Sequence, residues 1–178
     1  MKSYSSNATQ RLEPPNSIFL DAALRCIGRG NYVEAEKALD RIMPSLRLHP
    51  SVLAARWQIS AREQNWETCV DVAKSITKIA PNSPIGWIHL AAAFHATERT
   101  REAWELLLRM TDRFPNEPLI SYNLACYGCR LGRLKDARTL LEQAFAAGDA
   151  ATLTQQALQD PDLEPLWGDL AGPQAAET

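Results

Sequence analysis

The chain is predicted to be all-α, built from four helix pairs stacked side by side, and three observations carry that expectation. Ala35, Cys69, Ala103 and Ala137 follow one another at intervals of 34 residues. The same interval relates Leu39, Ala73, Leu107 and Leu141, then Ala23, Trp57, Ala91 and Ala125, and then Pro50, Pro84 and Pro118. Within a unit the apolar residues recur at helical spacing: Trp87, Leu90, Ala91 and Phe94 fall at i, i+3, i+4 and i+7, and Ala103, Leu107 and Met110 line the partner helix. A period of about 34 residues is the length of one helix–turn–helix unit, which buries its apolar face only against its neighbours.

The elements follow in order. Residues 1–16 are polar, aperiodic and end in Glu13-Pro14-Pro15, which predicts a flexible tail, and Asn16-Ser17 offers the first N-cap. Helices are expected in pairs over 17–28 and 32–44, 50–63 and 66–79, 84–96 and 100–112, and 118–131 and 134–147. Gly30-Asn31 and Gly132-Arg133 suit turns that need positive φ after a helix end. Asn65 is expected to serve the same purpose in the second turn, whereas Glu98-Arg99 is less suited and should be the more mobile one. Between pairs, Pro81-Asn82-Ser83-Pro84 and Pro115-Asn116-Glu117-Pro118 end one helix and open the next, since proline cannot continue a helix but fits its first turn. The first junction, from Pro44 to Pro50, is irregular, so the preceding helix should end early or bend.

After the last pair, Leu158 continues the series Leu90, Leu124, Leu158, which predicts a further helix over 150–159, stopped by Pro161. Leu163, Leu166 and Trp167 should then dock on that helix as a short terminal turn. One domain is expected over 17–170, with repeats at 17–49, 50–83, 84–117 and 118–151, a capping helix and turn at 152–170, and a frayed end at 171–178. Ala91 and Ala103 let paired helices approach closely while Trp87, Phe94 and Leu107 fill the surrounding space.

Composition narrows the function classes. The 178 residues are 46% hydrophobic, enough for a continuous core, and 19 basic against 21 acidic residues leave a net charge of −2. No basic field drives binding to nucleic acid, so none is expected as a partner. The first twenty residues hold only the apolar run Ile18-Phe19-Leu20, and no stretch approaches a membrane span, so a soluble cytoplasmic protein without membrane contact is expected. Cys26, Cys69, Cys126 and Cys129 are too few and too embedded in helical pattern to form a disulfide scaffold. Asn7-Ala8-Thr9 matches a glycosylation sequon, without meaning in such a protein.

Cys126-Tyr127-Gly128-Cys129 is the local pattern that could signal redox or metal chemistry. A reactive thiol of that motif sits at a helix N-terminus, whereas Cys126 lies eight residues beyond Pro118 in mid-helix. Zinc would need Cys126 and Cys129 to converge with His89 and His95, yet at 100° per residue the two histidines point about 120° apart. Asp160 and Asp162 read as polar residues at a helix end. No phosphate loop, His-Glu-x-x-His helix or nucleophile elbow occurs, so an enzyme is not expected, nor is any cofactor, metal or catalytic residue.

With Trp87, Leu90-Ala91, Phe94, Ala103, Leu107 and Pro115 in that order, the third unit resembles the tetratricopeptide repeat. The fourth resembles it through Tyr122, Leu124-Ala125, Gly132-Arg133, Ala137 and Leu141. The second matches through Ala73, Ile76 and Pro81, although Trp57 and Cys69 replace small residues, and the first keeps Ala23, Gly30, Tyr32, Ala35 and Leu39. The resemblance covers about residues 17–147 and implies a right-handed superhelix, or α-solenoid, whose first-type helices line a groove for a partner peptide or helix.

The groove residues so implied are Gln58 and Arg62, then Ile88, His89, Ala92 and His95, then Tyr122, Asn123, Cys126 and Arg130. Their mixture suits a peptide backbone or a carboxylate. Some members of the family clamp a C-terminal carboxylate with lysine and asparagine, but the corresponding slots here carry Leu20 and Leu24, so that role is not implied. Leu20, Leu24 and Ile27 instead make one end apolar. The expected function is a non-catalytic interaction module or scaffold for a protein or peptide. The alternatives are a self-associating homodimer, and thiol or metal chemistry at Cys126 and Cys129.

Overall fold

The computed structural model describes residues 11–170, so the tail up to residue 10, with its sequon, and the end at 171–178 lie outside the described residues. Among the described residues are ten α-helices: α1 (Asn16–Gly28), α2 (Tyr32–Asp40), α3 (Pro50–Arg62), α4 (Trp66–Ile79), α5 (Ile85–Ala96), α6 (Thr100–Leu108), α7 (Pro118–Arg130), α8 (Leu134–Ala147), α9 (Ala150–Ala157) and α10 (Trp167–Leu170). Two 3-10 helices, Pro44–Leu46 and Pro161–Leu166, complete the chain, and no strand occurs among these residues.

One backbone device recurs in every helix–turn–helix pair. Gly30, Gln64, Glu98 and Gly132, each 34 residues after the last, have φ of 73°, 57°, 62° and 73°. The following residues, Asn31, Asn65, Arg99 and Arg133, donate their N–H to the carbonyls of Cys26, Ser60, Phe94 and Gly128 at 2.8–2.9 Å. This is a Schellman closure, in which one left-handed residue lets the chain fold back and satisfy the last carbonyls of the helix. The left-handed position in the second turn is therefore Gln64, not Asn65: Asn65 has φ −83° and caps the next helix by accepting the Thr68 N–H at 3.3 Å. Asn31 caps in the same way, accepting from the Glu34 N–H. Arg99 and Arg133 make no side-chain cap and instead pair with Glu102 and Asp136 three residues on.

The contacts divide the chain into two compact units, one ending at Ala93 and the other beginning at Phe94. In the first, α1 packs on α2 and α3, and α3 packs on α4. Its core holds Leu20, Ala23, Ala35, Leu39, Ile42, Val52, Ala55 and Ile59. Leu12 joins that core, and the Asn16 carboxamide accepts the Met43 N–H at 2.9 Å, so the chain is already packed before residue 17. Asn16 is thus a buried residue inside α1 rather than its cap, and Pro15 holds the cap position. Leu20, expected to face an open groove end, lies in the core, while Leu24 is exposed. As expected for the irregular junction, α2 ends early at Asp40, and the chain passes through the 3-10 turn before α3.

In the second unit α6 packs on α7, α7 on α8 and α8 on α9, and the Pro161–Leu166 turn lies on α7 and α8. Ala103, Leu107, Ala125, Ala137 and Leu141 are buried, as the periodicity requires. Helix α6 stops at Leu108, short of residue 112. Beyond it Met110 and Arg113 donate three residues back, and the Thr111 hydroxyl donates to the Leu108 carbonyl, tightening the last turn away from α geometry. Helix α9 departs from the 34-residue frame. Leu158 lies just past its end and is 40% exposed, while Leu153 and Ala157 are buried.

Candidate functional site

The first unit presents a cleft of about 570 Å³ where the end of α1 and the following turn face α3. Ile27, Tyr32, Trp57, Gln58, Ala61 and Arg62 line it, so the expected groove residues Gln58 and Arg62 share one concavity. Trp57 occupies a slot where alanine stands in three of the four repeats, and it lines the cleft. Behind it the His89 ring from α5 is stacked at 4.1 Å between centroids and 6° between planes. Burial holds His89 neutral, with its pKa pushed down to about 4. Its Nδ1 and the Trp57 Nε1 are both buried without a hydrogen-bond partner.

Ile88 and His89 were expected on the open face, but both are buried, each 7% exposed. The reason lies in α5 itself. Its sequence, Ile85-Gly86-Trp87-Ile88-His89-Leu90-Ala91-Ala92-Ala93-Phe94-His95-Ala96, is apolar all round and offers no polar face to solvent. Ala92 is half-buried.

In the second unit the expected groove face of α7 is covered by the chain's own residues 160–162. The Tyr122 hydroxyl donates to Asp160 Oδ2 at 3.1 Å, and the Cys126 thiol donates to the same oxygen at 3.5 Å. Asp160 Oδ1 accepts the Asp162 N–H at 3.1 Å, capping the 3-10 turn that Pro161 opens. His95 reaches Asp162 Oδ2 through Nε2 at 2.8 Å and Thr100 Oγ1 through Nδ1 at 3.0 Å, with its ring against Tyr127. Arg130, largely exposed, approaches Asp162 Oδ1 at 3.6 Å. Tyr122 and Cys126 are consequently buried, not groove-facing, because a segment 34 to 38 residues downstream lies over them.

Electrostatics agree with this assignment of donors and acceptors. Burial, reinforced by the Asp160 carboxylate, raises the pKa of both Tyr122 and Cys126, which keeps them protonated and able to donate. Burial also raises Cys129 and Cys69, against the thiolate that redox or metal chemistry needs. Among the described residues no three metal-ligating side chains come together, and His89 and His95 are engaged separately with Trp57 and Asp162. Asn123 spends its amide on the Leu119 carbonyl one helical turn back.

The apolar part of the segment is anchored as well. Trp167 meets α9 as expected, its indole N–H donating to the Ala157 carbonyl at 2.8 Å, whereas Leu163 and Leu166 are buried in the turn that lies on α7 and α8. Asp160 and Asp162, read from sequence as end residues only, are the partners of Tyr122, Cys126, His95 and Arg130. The signal that could have found them is the run Asp160-Pro161-Asp162-Leu163-Glu164-Pro165-Leu166, which pairs a capping acid with apolar residues at i+3 and i+6.

No protein-family model matches this chain, and no curated protein matches it either. No helix among the described residues is long and apolar enough to cross a membrane.

Proposed function

We propose that the chain is a non-catalytic interaction module: a right-handed superhelix of four tetratricopeptide-like pairs with a C-terminal cap, taking an extended or helical segment of a partner protein. The cleft of the first unit carries the reading. Trp57 and Tyr32 supply apolar area with little side-chain entropy to lose, while Gln58 and Arg62 supply groups for a peptide backbone or a carboxylate. The fourfold left-handed turn at residues 30, 64, 98 and 132 supports the kinship to the repeat family. The raised thiol pKa values argue against chemistry at Cys126 and Cys129. Four unpaired cysteines fit a reducing compartment, hence the cytoplasm.

The test is capture from native lysate on immobilised full chain, wild type against Arg62→Glu, with equal circular dichroism as the folding control. Proteins retained by the wild type and lost by the variant are expected; identical sets would remove the cleft as the binding site.

Self-association is a second reading, favoured by Ile18 and Leu24, which are 56% and 41% exposed on α1. A dimer that survives dilution in sedimentation, with no other protein present, would select it over segment capture.

A further inference from the structure

Three polar side chains of α7, together with His95, end on the carboxylates of Asp160 and Asp162, while the neighbouring Tyr127 hydroxyl is buried without a hydrogen-bond partner. Tyr122 and Cys126 serve Asp160; His95 and Arg130 serve Asp162. These contacts join side chains to side chains across 32 to 67 positions of sequence, and none uses the backbone of α7. The occupant therefore contributes nothing to the backbone hydrogen bonding of the helix it covers. A cap needed only to shield apolar surface would require Leu163 and Leu166 alone.

The occupant also has the character of a bound peptide. It is short, it carries Pro161 and Pro165, and it forms a 3-10 turn capped by its own Asp160. Such a segment loses little freedom on docking, because proline has already fixed much of its backbone. The exposed Leu158 and Gln159 flank it at one end, and at the other the four-residue α10 is tied down by the Trp167–Ala157 hydrogen bond and the Arg138–Asp169 ion pair. Asp162 and Arg130 are reachable from solvent, at 26% and 62% side-chain exposure, so a competing carboxylate can engage Arg130 before the resident one leaves.

We propose that the α7 face is a receptor for acidic segments of the form Asp-x-Asp-Leu-x-x-Leu, and that Asp160–Leu166 is a resident internal ligand which a partner's segment of that chemistry displaces. Two carboxylates two residues apart are read by the donors of His95, Tyr122, Cys126 and Arg130. The leucines at +3 and +6 from the first acid enter the sites that Leu163 and Leu166 now fill. The intervening side chains Pro161, Glu164 and Pro165 are exposed, so these positions add selectivity only through the backbone that the prolines pre-set. This deepens the interaction-module reading and rests on it, adding the partner's chemistry and an internal competitor.

The experiment titrates a fluorescent peptide with the sequence of residues 159–167 into the full-length chain, wild type and Asp162→Asn, followed by anisotropy. The Asp162→Asn chain, with its internal ligand loosened, is expected to bind the peptide about tenfold more tightly than wild type. A peptide with both aspartates replaced by asparagine should bind that chain about tenfold more weakly than the native peptide. Adding His95→Ala to the Asp162→Asn chain should weaken native-peptide binding again. No binding to either chain, or equal binding of native and asparagine peptides, would overturn the proposal. So would a loosened chain that pairs with a second copy in sedimentation and ignores the peptide. Should Asp162→Asn fail to fold, amide exchange on wild type with excess native peptide decides. Faster exchange over residues 160–166 supports displacement, and unchanged exchange refutes it. Arg62-dependent capture persisting while the peptide fails would refute this receptor alone and leave the interaction module standing.

Discussion

Gly132 and Glu98 hold the same left-handed backbone, at φ of 73° and 62°, yet only glycine holds it without a Cβ penalty. A Cβ built on Gly132 meets nothing within 4 Å, so Gly132→Ala changes backbone strain without crowding. Its expected cost is about 1 kcal/mol, and Glu98→Gly should stabilise the chain by up to about 1 kcal/mol. Urea denaturation of the two variants checks both signs at once. A neutral Gly132→Ala would mean the turn relaxes out of the left-handed region.

His89 supplies a pH test at the same scale. Its folded pKa of about 4 lies below the 6.5 of an unperturbed imidazole, so the unfolded chain binds the extra proton first as pH falls. Stability from neutral His89 is therefore complete above the unfolded pKa and is lost as pH falls from about 6.5 toward about 4. Between about pH 7 and pH 5 the loss should be about 2 kcal/mol, and His89→Phe, which keeps an aromatic ring against Trp57, should lack that slope. Equal slopes for the two proteins in denaturation series across that range would remove His89 as the cause.

At the scale of elements, α7 and α8 approach closely at Gly128 and Ala137. A Cβ on Gly128 would stand 3.0 Å from Trp104 Cζ3 and 3.1 Å from the Ala137 Cβ, and Ala137 is fully buried. Ala137→Leu leaves its added atoms nowhere to go and should cost about 1 to 3 kcal/mol, read as a lower denaturation midpoint at unchanged slope. The same burial explains what was legible. Positions such as Ala103 and Ala137 repeat because each is fully buried in its own pair, and a steric demand of that kind shows directly in residue type. The end of α6 was not legible, because Thr111 competes for the Leu108 carbonyl through its hydroxyl and nothing in the apolar pattern announces it. Nor was α9, which buries Leu153 and Ala157 and leaves Leu158, the next member of the 34-residue series, exposed. In the candidate site, Gln58 and Arg62 were legible as residues of one exposed helix face. The acceptors Asp160 and Asp162 were not, since they meet Tyr122 and His95 across 38 and 67 residues and lie outside the repeating frame.

Across the whole molecule, the contacts fall into a unit ending at Ala93 and a unit beginning at Phe94, each with buried leucines of its own. Where each unit holds a core of its own, a defect in one core should loosen that unit first. Leu39, fully buried among Ala23, Ala35, Ile42 and Ile59 in the first core, is the site for such a defect. Leu39→Ala should cost about 2 to 5 kcal/mol, the range for truncating a buried leucine where the cavity cannot collapse. Native-state amide exchange then locates the loss. Amides of α1 to α4 are expected to exchange much faster in the variant, while those of α7 and α8 keep their wild-type protection. Acceleration spread evenly over both sets would instead mean that the two cores open together, and the division at residues 93 and 94 would then describe contact density without marking a boundary of cooperativity.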